Sequence, residues 1–388
     1  KDEVHRFNFQ NVFTHGNLKK DERGYFSNLI TQDIFSKQSY VYIMTYASMV
    51  NLDFNKHFGR LLNSAMFIAD EAHNVGAKSI KKKWLQVVKP EASLIALSAT
   101  PERQFEDNTA FFESCFSDSY PYTFSYSMSK AIENGILCKY EYYPISVELT
   151  TEEFRDYQDL SEKIARIMSI TDDDVENSGL DMLLIQRRRI VNNAKNKALT
   201  FKNLIEQEFH SRGNLDYSLV YSPEGFDDDL GFIEDDEEMS RRIHEYTKII
   251  SDTDETVTIR QITGNSKDSN DSALDSFESG KCDVLISMKC LDEGIDVPRA
   301  ENGYFLSSSG NPRQFIQRRG RLLRVHPDKS FARIVDLVVV PPTGIMVSST
   351  VRKIVKDELK RVREFGYIAM NSSDVLSYID DLNCKYDT

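Results

Sequence analysis

The chain has 388 residues, room for two or three domains, and its 40% hydrophobic and 28% charged content is that of a globular protein. Its net charge of −13 excludes a uniformly basic nucleic-acid-binding surface, although binding depends on the local field of a groove and not on the global sign. No run reaches the about eighteen apolar residues of a membrane span, and five cysteines without a Cys-x-x-Cys pair and seven histidines without ligand spacing argue against a disulfide framework, a zinc ribbon and any structural metal.

In chain order, residues 1–40 give mixed signals and read only as partly helical. Val41 to Thr45 reads as a buried strand. Ala65 to Ala69 is a mostly apolar run expected to form a parallel strand buried on both faces, ending abruptly at Asp70 and Glu71, where α/β sheets place their ligands. Adjacent residues of an extended chain point opposite ways, so the two carboxylates are expected to serve two directions. An ordinary acidic turn is the alternative for a bare Asp-Glu pair. Lys78 to Trp84 is a basic patch beside the only tryptophan, either a solvated helix face or a phosphate contact. Ser93 to Leu97 is a second apolar strand, running into Ser98-Ala99-Thr100.

From Phe105 to about Pro121 a first domain closes, and Tyr122 to Tyr126 leads into a second. Tyr140 to Leu149 is strand-like, and Thr150-Thr151-Glu152-Glu153 opens an amphipathic helix with an N-cap and early acids. Residues 151–210 read as largely helical, broken near Asp172 to Gly179. Arg187-Arg188-Arg189 in this region either faces water or lines a channel. Strands follow at Tyr217 to Ser222, Val257 to Ile262 (ending in Thr263-Gly264), Cys282 to Ser287 and Phe331 to Leu337, with a helix at Ala273 to Ser279. Nine carboxylates between Glu224 and Glu238 mark an insertion or loop. Ser348 to Phe365 reads as an amphipathic helix with a basic run, Lys360-Arg361-Val362-Arg363, that braces the rest. Alternating strands and helices imply a parallel sheet with helices on both faces, an α/β fold.

Three motifs stand in order: Asp70-Glu71-Ala72-His73, Ser98-Ala99-Thr100, and Gln317-Arg318-Arg319-Gly320-Arg321-Leu322-Leu323-Arg324. With Ser98 to Arg103, Ala131 to Leu137 and Asp292-Glu293-Gly294-Ile295-Asp296-Val297-Pro298, they resemble the superfamily 2 helicases and translocases of the DEAH-box kind. The resemblance is nearest to the branch of type I and III restriction-enzyme motor subunits and XPB-like helicases.

The resemblance implies two RecA-like domains with parallel sheets flanked by helices, plus a helical segment and C-terminal helices. Residues 1–122 would be the C-terminal part of the first domain, 123–347 the second with a helical insertion around 151–210, and 348–388 a helical extension. It implies ATP and Mg²⁺ as cofactors. Asp70 would hold the ion through water, and Glu71 would take a proton from the attacking water. His73, Ser98 and Thr100 would couple nucleotide to nucleic acid. Gly294 and Asp296 would lie near the nucleotide, a turn cap being the alternative for Asp296. Gln317, Arg321 and Arg324 would complete the catalytic set, the two arginines projecting from one helix face onto the phosphoryl group when the domains close. Thr45, Tyr221, Ser222, Thr263, Gly264 and Ser287 would contact the nucleic-acid backbone, although threonine at Thr45 is equally explained by strand packing.

The function implied is an ATP-dependent translocase or helicase in the cytoplasm. It would act on double-stranded DNA, with other subunits as partners and a restriction or phage-defence role. One departure stands out: no Gly-x-x-x-x-Gly-Lys-Ser/Thr phosphate loop occurs in the 388 residues, and only 69 precede Asp70. A C-terminal portion of a longer protein is the simplest explanation. A non-catalytic nucleic-acid-binding or assembly subunit with a degenerate helicase fold is the other.

Overall fold

Ser218–Tyr221 (β6), Val284–Ser287 (β10) and Asn302–Phe305 (β11) are buried along their whole length, which forces parallel strands to carry apolar residues on both faces. The computed structural model describes residues 11–14, 40–54, 58, 62, 65–88, 92–98, 109–169, 178–223, 226–227, 232–233, 236–262, 267–287, 296–306 and 312–388. The chain divides into two units, Lys1–Ser125 and Tyr126–Thr388.

In the first unit, Asn11–Thr14 (β1) pairs in parallel with Tyr40–Ile43 (β2), and Met66–Ala69 (β3) with Ser93–Ala96 (β4). The strand expected to run to Thr45 stops at Ile43, because the Thr45 hydroxyl accepts from Ser48 N and caps the helix Tyr46–Asn51 (α1). Lys78–Val87 (α2) and Thr109–Phe116 (α3) complete the described elements with a 3-10 turn at Ala72–Gly76. Met49, Phe54, Ala69, Val75, Trp84 and Phe112 form the core. β3 departs from expectation: Ala69 is buried, but Met66 and Ile68 are 59% and 63% exposed, so only one face of the strand is packed. The basic patch is half structural, since Trp84 is core, Lys81 lies over Phe111 and Lys83 over Phe54.

The second unit is built on a six-stranded parallel sheet in the order β5-β12-β11-β6-β10-β9, where β5 is Tyr140–Glu148, β9 Ile259–Ile262 and β12 Ala332–Val340. β12 and β5 pair over nine residues, from Ala332 opposite Tyr140 to Val340 opposite Glu148. Met128–Glu133 (α4) precedes the sheet. Thr151–Met168 (α5) starts at a capping box in which Thr150 and Glu153 satisfy each other's backbone N–H. Ser178–Asn192 (α6) packs against α5, where Arg187 lies over Tyr157, and Asn196–Arg212 (α7) leads into β6. Within the acidic block, Phe226–Asp227 (β7) and Phe232–Ile233 (β8) form a small antiparallel pair, and Asp236–Ser251 (α8) follows.

Alternation along the strands separates two cores. Val220, Ile286 and Tyr304 point to α7 and α8, where Phe201, Ile205 and Ile250 are buried. Leu219, Leu285 and Phe305 face Phe277 of Lys267–Glu278 (α9), Phe315 of Pro312–Leu322 (α10) and Phe365 of Ser349–Gly366 (α11). The central strand β11, for which the sequence analysis gave no expectation, begins Asn302-Gly303. Glycine is required there because a Cβ would collide with the Leu322 side chain of α10.

A buried ionic network fastens α11 to the sheet. Arg361 donates through Nε to Asp336 Oδ2 (2.8 Å) and through Nη2 to Glu358 Oε2 (2.9 Å). Asp336 also accepts from the Tyr142 hydroxyl (2.7 Å), and Glu358 from Val339 N (3.1 Å). Ser372–Tyr386 (α12) packs on α11, and the turn before it covers the β5 edge. There, Asn371 Oδ1 accepts from Tyr142 N (2.9 Å) and Nδ2 donates to Tyr142 O (3.0 Å), while Met370 N donates to Tyr140 O (2.8 Å).

Candidate functional site

Parallel pairing of β3 and β4 brings the first two motifs together, with Ala69 opposite Ala96. The ladder extends one step past the strands, Leu97 N donating to Ala69 O (2.9 Å) and Ala72 N to Leu97 O (2.9 Å). Asp70 and Glu71 therefore stand at the strand end beside Ser98. They are not consecutive residues of an extended chain, as expected: Glu71 is left-handed (φ 46°, ψ 50°), a conformation that costs a non-glycine residue roughly 1–2 kcal/mol. Glu71 N donates to Asp70 Oδ1 (3.0 Å), and the Glu71 side chain turns to His73, with Oε2 3.4 Å from Nδ1. His73 Nδ1 is also 3.3 Å from Ser98 Oγ, so one buried imidazole touches both motifs.

Tyr46 was missed by the sequence reading. Its hydroxyl donates to Asp70 O (2.9 Å), and burial, helped by the Asp70 and Glu71 charges, raises its pKa above the ordinary tyrosine value. Its only signal was its place after Thr45, which the structure uses as a helix cap with an exposed hydroxyl that also donates to Ser48 Oγ (3.0 Å). Thr100 lies outside the described residues.

In the second unit the cluster is built on α10. Gln317 and Arg321 are half-buried on the helix. Arg324 is not on that helix, contrary to the expectation of two arginines on one helical face. α10 ends at Leu322: Leu323 N still donates to Arg319 O (2.9 Å), but the Leu323 carbonyl accepts from Cys138 N (2.8 Å) and Leu137 bridges to Arg324. From there the exposed Arg324 guanidinium forms an ion pair with Asp296. Two of the residues expected near a nucleotide are thus in contact with each other.

Arg318 and Arg319, to which the sequence reading gave no role of their own, are structural. Arg318 is 0% exposed and lies 5.2 Å from the Tyr221 ring, and burial lowers its pKa to about 10. Arg319 donates through Nη2 to Glu364 Oε1 (3.0 Å) and lies 4.1 Å from the Phe365 ring, joining α10 to α11.

The expected nucleic-acid contacts of this unit are corrected. Tyr221 is core, stacked on Phe305 at 5.0 Å and 9°, and Ser222 and Ser287 are fully buried, with Ser222 N donating to Ser287 O (2.9 Å). β6 and β10 are interior strands covered on both faces, so their side chains at these positions do not reach the surface. Thr263, Gly264 and Gly294 lie outside the described residues.

Residues 1–103 match the family model described as type III restriction enzyme, res subunit, and residues 232–326 match the helicase conserved C-terminal domain. The first match contains Asp70, Glu71, His73 and Ser98, and the second contains Asp296, Gln317, Arg321 and Arg324. The chain is also 24% identical over 264 residues to the DNA 3'-5' translocase XPB2 of Sulfurisphaera tokodaii, covering 67% of this chain.

Both matched regions are helicase-family domains of the superfamily 2 kind.

Among solved structures, this helicase chain is similar to the ATP-dependent Type ISP restriction-modification enzyme LlaBIII bound to DNA. The TM-score is 0.51 at 15% identity, over 90% of this chain and 24% of that one. That likeness concerns the fold, two RecA-like domains with parallel sheets flanked by helices. The helicase chain spans about half the length (55%) of the translocase it matches. No helix among the described residues is long and apolar enough to cross a membrane.

Proposed function

We propose that the chain carries the hydrolytic and arginine parts of an ATP-driven nucleic-acid translocase or helicase, with double-stranded DNA as its track. The observation that carries the reading is the convergence of Asp70, Glu71, His73 and Ser98 at the adjoining ends of β3 and β4. The left-handed backbone at Glu71 is the kind of local strain that persists where geometry serves chemistry. DNA is supported by the relative named a DNA translocase and by the DNA-bound restriction enzyme of similar fold. The matched restriction-enzyme family supports a restriction or phage-defence system with further subunits.

Asp70 suits a Mg²⁺ ion held through water, since its carboxylate is exposed at the strand end. Among the described residues no group of three or more His, Cys, Asp or Glu could chelate an ion directly. When bound, the ion would neutralise charge on the nucleotide phosphates. Glu71, oriented by His73, takes the proton of the attacking water, and Ser98 passes the state of this site to the nucleic acid. Arg321 and Arg324 stabilise charge on the transferring phosphoryl group, for which Arg324 exchanges its Asp296 carboxylate for phosphate oxygens. The carboxylates belong to one unit and the arginines to the other.

Nucleic-acid-stimulated ATPase activity of the full-length protein tests this, with Glu71→Gln as control. Hydrolysis that survives Glu71→Gln unchanged removes Glu71 from the mechanism. Salt-sensitive duplex binding without any hydrolysis in the wild type would instead favour a non-catalytic nucleic-acid-binding subunit.

A further inference from the structure

Lys329 lies in the turn between α10 and β12 and is 7% exposed. Its ammonium donates to three backbone carbonyls: Pro298 O (2.6 Å), Ala300 O (3.0 Å) and Leu322 O (2.9 Å). Three acceptors use all three protons, so the arrangement requires the charged form. No carboxylate lies within ion-pair distance of it among the described residues. A buried lysine with carbonyl partners in place of a carboxylate acts by geometry, joining segments of backbone.

The segments it joins carry the candidate residues of this unit. Pro298 and Ala300 follow Asp296 by two and four residues. Leu322 is the last residue of α10, between Arg321 and Arg324, and its carbonyl is one of those that a helix end leaves without an intrahelical partner. The Arg324–Asp296 ion pair spans the same two segments at the surface. Lys329 lies beneath that pair as a second, buried tie. Leu323 and Arg324 are further held through Cys138 and Leu137, so the backbone of the second arginine is fixed on both sides.

We propose that Lys329 is a positioning residue for Arg321, Arg324 and Asp296, setting the distance between the Asp296 segment and the end of α10. The assignment rests on the reading that these arginines serve phosphoryl transfer. A displacement of about 1 Å in such groups costs on the order of 100-fold in rate, so a tie that fixes two segments acts on turnover more than on ground-state affinity.

The test uses the full-length protein with Lys329→Met, Lys329→Arg, Arg324→Ala and the Lys329→Met/Arg324→Ala double variant. Lys329→Met is expected to lower nucleic-acid-stimulated kcat about 30-fold with KM for ATP within about twofold. Once Arg324 is already alanine, the same change is expected to cost no more than about threefold, because the two act through one route. Fully additive losses would overturn the proposal, since a merely structural lysine would harm both backgrounds alike. Lys329→Arg keeps the charge but not three convergent donors, and is expected to show the same kcat loss if Lys329→Met fails to fold.

Hydrogen exchange gives a reading that does not depend on hydrolysis. The Ala300, Leu323 and Arg324 amides should exchange faster in either variant while β12 stays protected. Unchanged exchange at all three amides would sink the proposal. An inactive wild type would count against the proposed function while leaving the exchange result decisive for Lys329.

Discussion

His73 Nδ1 lies 3.3 Å from Ser98 Oγ, a contact that links residues at the ends of two adjacent strands. The same nitrogen faces Glu71, so loss of the hydroxyl should leave the carboxylates in place and disturb only the connection. Ser98→Ala is expected to lower the ratio of nucleic-acid-stimulated to basal ATP hydrolysis about tenfold while basal hydrolysis stays within about twofold. An unchanged ratio, measured in a coupled ATPase assay, would separate Ser98 from coupling.

The exposed Arg324–Asp296 pair should matter little to stability and much to turnover. Arg324→Ala is expected to change unfolding free energy by less than about 1 kcal/mol, as exposed ion pairs do. Stimulated hydrolysis should fall about 1,000-fold, as expected for an arginine acting on the transferring phosphate. Denaturation and ATPase measurements on one preparation decide the matter; near-wild-type turnover would exclude Arg324 from the reaction.

The buried network behaves in the opposite way. Arg361→Met leaves the Asp336 and Glu358 carboxylates without their guanidinium, and is expected to cost about 3–5 kcal/mol of the stability of the second unit. Urea denaturation monitored by circular dichroism measures this. A loss below about 1 kcal/mol would mean that the network is not what fastens α11.

Lys197 gives the fold a pH dependence. It is fully buried, its ammonium donates to Asn192 O (3.0 Å), and burial lowers its pKa to about 7, opposed by the Glu358 and Asp336 charges. The unfolded chain therefore binds more protons than the folded one between about pH 7 and pH 10.5, and this group makes stability rise with pH across that window. At pH 9 the wild type is expected to have gained about 2 kcal/mol over pH 7 relative to Lys197→Met. Parallel stability profiles of the two proteins would overturn this.

The strand-end carboxylates and the Ser98 hydroxyl were legible because each terminates an apolar run, a local signal. The parallel sheet was legible from the same alternation of strands and helices. What the residues did not announce was tertiary. Arg324 leaves α10 because Leu137 and Cys138 claim the backbone there, a contact between segments far apart in sequence. Tyr221 reads like a strand tip, but its strand is interior, so its ring is core. β11 was not expected at all, since its glycine answers to the close approach of Leu322 from a distant helix. Tyr46 and Lys329 act on backbone carbonyls, and such contacts leave no motif in a sequence.

Asn371 imitates a neighbouring strand at Tyr142, supplying both a donor and an acceptor to the rim of the sheet. A chain cut before Met370 would present Tyr140 and Tyr142 with unmet backbone groups on a strand nine residues long. Such a raw rim invites pairing between copies, so truncated forms should clump where the intact protein stays dispersed.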